Sequence, residues 1–208
     1  MGVPRPHFIV YNVVMNNKPM STEYLEQVLL PMMLAIEPTS VESYIDACLG
    51  WEPENSIQSI RIQFGNRIED FWNQVISDCK NAKNLIEENN MIMVGTKERQ
   101  LDHLFETDVI NYLESKCNLN FDSEKDKASN AKIKAVLETI EGATGGYFCP
   151  VVDEVPHHWQ VKYTNKGMSI IGVSDMMKMI DCPFTSEEYF TFLREVVGPI
   201  LNEKRYDV

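Results

Sequence analysis

The sequence predicts an α/β fold of the α+β kind, a central mixed β-sheet flanked by helices, and three observations carry that prediction. Ile68, Phe71, Trp72, Val75, Ile76 and Cys79 recur at i, i+3, i+4, i+7, i+8 and i+11, the spacing of one continuous helical stripe. Residues 97–116 contain two short, largely apolar runs around a polar turn, the pattern of a hairpin buried on both faces. A helix over about 129–141 then precedes a strand from Tyr147 to Val152. Strand, helix, strand is the unit that sets two parallel strands side by side, so the sheet is expected to be mixed.

Taken in order, Phe8–Met15 is expected to form an edge strand. Ser21 or Thr22 caps a helix whose apolar residues Tyr24, Leu25, Val28, Leu29 and Met32 lie at helical spacing. Pro31 inside that pattern predicts a kink or an end. A helix from Val41 to Leu49 follows Ser40 and stops at Gly50. The Ile68 helix is expected to start near Asn66 and run to about Glu88. Met91–Val94 is expected as a strand, with a turn at Gly95 and Thr96 leading into the hairpin. Beyond it, Gly142 stops the 129–141 helix and the following glycines read as a turn; they lack the Gly-Lys-Ser/Thr ending of a phosphate-cradling loop. Gln160–Tyr163 is strand-like, Met168–Val173 is a strand, Ser174 caps a short helix, and Thr185 with Glu188 forms a capping box for the last one. Gly198 and Pro199 are expected to break or kink that helix.

The 208 residues suit one domain, 1–208, with a sizeable core. Five cysteines without regular spacing point to reduced thiols, and with no signal-like segment at the start the expected location is cytoplasmic. The net charge of −12 argues against a protein that holds nucleic acid by charge alone. Cys149, His157 and His158 lack the second paired motif a zinc site requires.

The chemistry concentrates in the hairpin. Glu114 and Lys116, two apart on a strand, share a face. If Asp102 projects onto it from the neighbouring strand, two carboxylates and an ammonium converge. That set suits metal-dependent phosphodiester hydrolysis: a hard divalent cation takes one or two carboxylates, and a lysine orients water or offsets phosphate charge. A two-residue turn at Thr107 and Asp108 would set Asp102 opposite Leu113, on the wrong face, so the arrangement requires a three-residue loop or a bulge.

The pattern D-x(11)-E-x-K from Asp102 through Glu114 to Lys116, in a hairpin followed by a polar stretch, resembles the PD-(D/E)xK nucleases, and among them the type II restriction endonucleases. Leu101 stands where the family has proline. The resemblance covers roughly residues 60–125 and implies a restriction-endonuclease-like core over about 60–152. It further implies Asp102 and Glu114 as Mg2+ ligands, Lys116 as the catalytic lysine, double-stranded DNA as substrate, 5'-phosphate products and a homodimer. Glu69 holds the place of an acidic residue that many members carry on the preceding helix. Two roles compete for it, metal ligand and capping-box partner of Asn66.

Asn118, Asn120, Ser123 and Lys125, in the polar stretch after Lys116, are candidates for DNA phosphate contacts, as is Lys127. In the C-terminal part, 153–208, the loops over 153–167 are candidates for base reading, with Gln160, Lys162, Asn165 and Lys166 as suitable residue types. Two other readings stand beside the restriction enzyme: a structure-selective repair nuclease using the same three residues, and a non-catalytic binding module on the same scaffold.

Overall fold

The computed structural model describes residues 21–38, 57–86, 91–118, 123–165 and 167–204. The expected strand at Phe8–Met15, the helix at Val41–Leu49 and the candidate Asn120 lie outside them. A five-stranded mixed sheet forms the middle layer, in the order β1 (Lys83–Asn84), β4 (His103–Glu106), β5 (Ile110–Ser115), β6 (Thr144–Phe148), β7 (Ser169–Ile171). The first three strands run antiparallel and the last three parallel. A separate two-stranded ribbon, β2 (Met91–Val94) with β3 (Lys97–Gln100), precedes β4. It turns through Gly95, whose φ of 62° suits a residue without Cβ.

Alternation along the strands sends side chains into two cores. Phe105, Leu113 and Phe148 point to one face and pack under helix α2 (Ile57–Asp78), whose Phe71, Trp72, Val75 and Ile76 are fully buried. Leu104, Tyr112 and Tyr147 point to the other and meet Ile133 and Val136 of helix α3 (Ser123–Thr139). This second face carries the hairpin's charged residues, so α3 is the layer closed over them. Helix α4 (His157–Thr164) completes that side through Tyr163, whose ring centre is 5.0 Å from that of Tyr147. The order β5, α3, β6 gives the parallel pair expected from the sequence.

Several elements differ from the sequence expectation for identifiable reasons. Helix α2 starts at Ile57, nine residues before Asn66, because the apolar stripe already runs through Ile60 and Phe64. Asn66 is therefore mid-helix and caps nothing, and the helix ends at Asp78, with β1 where more helix was expected. Gln160–Tyr163 belongs to a helix: Trp159 stacks on Tyr163 one turn later, with ring centres 6.3 Å apart, and Lys162 lies over the Trp159 ring. Ser174 is not the cap of α5 (Val173–Ile180); Gly172 is. The first amides of α5 bond to the carbonyls of Val152 and Asp153, and a Cβ at Gly172 would meet the Asp153 carbonyl at 2.3 Å. Gly145 and Gly146 lie inside β6 rather than in a turn, since a side chain at Gly146 would strike Ser169 of β7.

Neither internal proline ends its helix. Helix α1 runs Ser21–Tyr24, a π-turn Leu25–Leu29, then Leu30–Leu34; helix α6 runs Ser186–Phe192, a π-turn Leu193–Val197, then Gly198–Glu203. In both, the amide after the π-turn bonds five residues back, Leu30 to Leu25 and Gly198 to Leu193. Pro31 and Pro199 thereby fall in the first turn of a new α segment, where no N–H is needed. The expected capping box of Thr185 and Glu188 opens α6. Among the described residues, no helix is long and apolar enough to cross a membrane.

Candidate active site

The connection between β4 and β5 is the three-residue loop 107–109, and the register pairs His103 with Leu113 and Glu106 with Ile110. That register sets Asp102, which lies in the break between β3 and β4, opposite Glu114 and on the same face. Its carboxylate fills the place of the missing ladder bond, because Oδ2 accepts the Ser115 amide at 2.8 Å. On the other side of β5, the Lys116 amide donates to the Phe148 carbonyl at 2.8 Å. Both neighbours therefore pin the backbone of the Glu-Ser-Lys triplet.

The side chains form a closed polar network. Lys116 Nζ is 2.7 Å from Glu114 Oε1 and 4.0 Å from Asp102 Oδ2. Tyr112 donates to Glu114 Oε2 at 2.6 Å and Ser129 to Oε1 at 3.2 Å. A second lysine, Lys132 of α3, contacts Asp102 Oδ1 at 2.8 Å, Glu114 Oε2, and the Gln100 carbonyl at 2.9 Å. Two carboxylates and two ammoniums thus share one small volume that is mostly removed from water.

Above them opens a polar cleft of about 450 Å³ lined by Asn66, Glu69, Asp70, Arg99, Gln100, Asp102 and Lys132. Glu69 sits on α2 one turn before Asn73, whose amide donates to the Asp102 carbonyl at 3.0 Å. With Asn66 mid-helix, the capping role for Glu69 is removed, and its place is the wall of this cleft.

Among the described residues, no group of three or more His, Cys, Asp or Glu side chains forms a ready metal cage. The donor set nonetheless suits a hard divalent cation. It is all oxygen, and Asp102 Oδ1 and Glu114 Oε2 already converge on one positive centre, the Lys132 ammonium. Asp102 and Glu114 are the residues that would hold a metal, with Glu69 facing it from the cleft.

The electrostatics separate the acids. Burial opposes the charged form of Glu114, but Lys116 and Lys132 outweigh it and hold the group below the ordinary carboxylate range. Asp102 is raised by burial and by Glu114. Burial, then Asp102, pushes Glu69 up to about 7. His103, fully buried beside this pair, is pulled down to about 3 by desolvation. Its Nδ1 lies 2.8 Å from Asn73 Oδ1, which places the proton on Nδ1 and leaves Nε2 without a partner.

These last two shifts act oppositely on stability. Between about 6.5 and 3 the unfolded chain protonates His103 and the folded one does not, so stability falls as pH falls. Between about 4.5 and 7 folded Glu69 keeps a proton the unfolded chain has lost, so stability falls as pH rises. From 4.5 to 6.5 the two slopes offset each other. Glu69→Gln should remove one of them, and in chelator its stability should then drop on acidification by up to about 1.4 kcal/mol per pH unit more than wild type. Denaturant melts at several pH values measure this, and parallel curves for the two proteins would refute it.

Of the remaining candidates, Asn118 is exposed just beyond β5, while Ser123 and Lys125 open helix α3 instead of forming a connecting loop. Gln160 and Lys162 lie on α4, not on a loop; Gln160 donates to the Val155 carbonyl at 2.9 Å and Lys162 covers Trp159. The residues that sequence reasoning missed are Lys132, Ser129 and Tyr112. A signal for the first two existed: continued one turn toward the N-terminus, the stripe Ile133, Val136, Ile140 runs into Ser129 and its neighbour Lys132, both buried. Polar side chains on an apolar stripe need partners.

No family model and no curated protein matches the chain. Among solved structures it is similar to protein VC1899 from Vibrio cholerae, at 12% identity and a TM-score of 0.38, over 79% of this chain and 52% of that one. The chain thus spans about half the length of that protein.

Proposed function

We propose that this protein is a type II site-specific endonuclease of the PD-(D/E)xK kind that hydrolyses phosphodiester bonds in double-stranded DNA with Mg2+ and leaves 5'-phosphates. The supporting observation is the juxtaposition of Asp102, Glu114 and Lys116 on one face of adjoining chain segments, with Asp102 also lining the cleft walled by Glu69. A magnesium ion held by Asp102 and Glu114 would supply Lewis-acid activation of the phosphate and of a water. Lys116, about a quarter exposed, presents its ammonium from Glu114 toward solvent, where it orients the attacking water and offsets charge on the phosphate. Tyr112 and Ser129 fix the Glu114 carboxylate from below. One such site cuts one strand, so a homodimer is the simplest unit for cutting both. With a net charge of −12, DNA affinity is expected to depend on the bound metal, in a cytoplasmic protein with no membrane role.

One observation favours a second reading, a non-catalytic module on the same scaffold. The two carboxylates and two lysines balance in charge without any metal. Incubating the purified protein with long duplex DNA, with magnesium and with chelator, separates the readings. Discrete fragments only with magnesium are the expected result. Cutting confined to branched DNA would shift the assignment to a repair nuclease, and intact DNA with every metal would leave the binding module.

A further inference from the structure

Lys132 stands where a cation between Asp102 and Glu114 has to go. Its Nζ touches one oxygen of each carboxylate, Asp102 Oδ1 at 2.8 Å and Glu114 Oε2, while Lys116 holds the opposite oxygen of Glu114. A divalent ion at the usual 2.0–2.1 Å from those same oxygens would lie against the ammonium. Two positive centres cannot share that contact in a site that is largely desolvated. We propose, resting on the metal-dependent reading above, that Lys132 is the resident counter-ion of this site. The entering cation displaces it, and its ammonium swings into the cleft toward Glu69.

The surroundings suit this exchange. Lysine carries a compact charge on a flexible four-carbon stem, so its head can leave while its base stays in α3. Lys132 already borders the cleft, and the acids on the facing wall are Glu69 and Asp70 of α2. Glu69 then acts by receiving the displaced ammonium and not as a metal ligand, which accounts for its place on the wall and not among the contacts of Glu114. The network that balances without metal and the site that binds metal become two states of one set of side chains.

Mn2+ binding, read as free Mn2+ by electron paramagnetic resonance, tests this without any cleavage assay, with thermal melts in chelator and in Mn2+ alongside. Lys132→Met should bind Mn2+ more tightly by roughly tenfold or more, having lost a unit-charge competitor at contact distance. It should melt below wild type in chelator and gain more from Mn2+ than wild type does. Glu69→Gln should weaken Mn2+ binding in the wild-type background and have no effect beside Lys132→Met. Lys132→Gln provides the same comparison if methionine impairs folding. Equal or weaker Mn2+ binding by both Lys132 variants would overturn the displacement. An equal loss from Glu69→Gln in both backgrounds would make Glu69 a ligand and overturn its receiving role. Absence of Mn2+ binding by every protein, wild type included, would instead remove the metal-dependent reading itself.

Discussion

Lys116→Met should reduce magnesium-dependent cleavage by about 10²- to 10³-fold, the cost of removing one preorganised donor at a developing charge. It should leave the fold almost untouched. The Lys116 side chain is about a quarter exposed, and Glu114 keeps Lys132, Tyr112 and Ser129 after its removal. A partly exposed ion pair contributes no more than about 1 kcal/mol, so the melting curve should lie close to that of wild type. Mn2+ binding should persist, because neither ligand is altered. Single-turnover cleavage and Mn2+ titration of the same preparation check both halves of this expectation. Cleavage within about threefold of wild type would remove Lys116 from the chemistry.

Glu114→Gln should do the reverse and strike the fold first. The carboxylate accepts from Lys116, Lys132, Tyr112 and Ser129, and its own side chain is about 5% exposed. Neutralising it leaves Lys132, also largely buried, paired with Asp102 alone. Breaking a buried ion pair from one side costs about 3–5 kcal/mol. For a chain of this size that is a fall in Tm on the order of 10 °C. Added metal should not restore it, since the variant lacks half of the ligand pair. A Tm within about 2 °C of wild type would show that Glu114 is not the hub of the network. Side by side, the two variants separate a residue needed for the reaction from one needed for the site to exist.

How much of this was legible in the sequence follows from the range of each interaction. The hairpin, the α3 crossover and the Thr185 capping box are local or nearly so, and spacing alone exposes them. The three-residue loop at 107–109 was implied by a parity argument, since only an odd loop or a bulge sets Asp102 and Glu114 on one face. The start of helix α2 is misplaced in the sequence because Asn66 with Glu69 reads as a capping box, whereas burial of Ile60 and partial burial of Phe64 carry the helix back to Ile57. Gln160–Tyr163 reads as strand-like because the eight residues of helix α4, with one buried side chain, leave almost no periodicity to detect. Lys132 is 30 residues from Asp102 and 18 from Glu114. Its place on the apolar stripe of α3 shows that it needs a partner, but which partners it takes is set only when α3 folds back over β5.

The two π-turns place the ends of α1 and α6 so that Lys204 Nζ reaches the carbonyls of Leu34, at 3.0 Å, and Ile36, at 2.7 Å. This lysine supplies what the C-terminal turn of α1 lacks, donors for its last carbonyls. It also joins positions about 170 residues apart, so no local chain connection holds the two ends together and the contact depends on how the intervening elements pack. It ties the first and last described helices into a belt around the α2 face, and the hold of that belt depends on the sheet being complete.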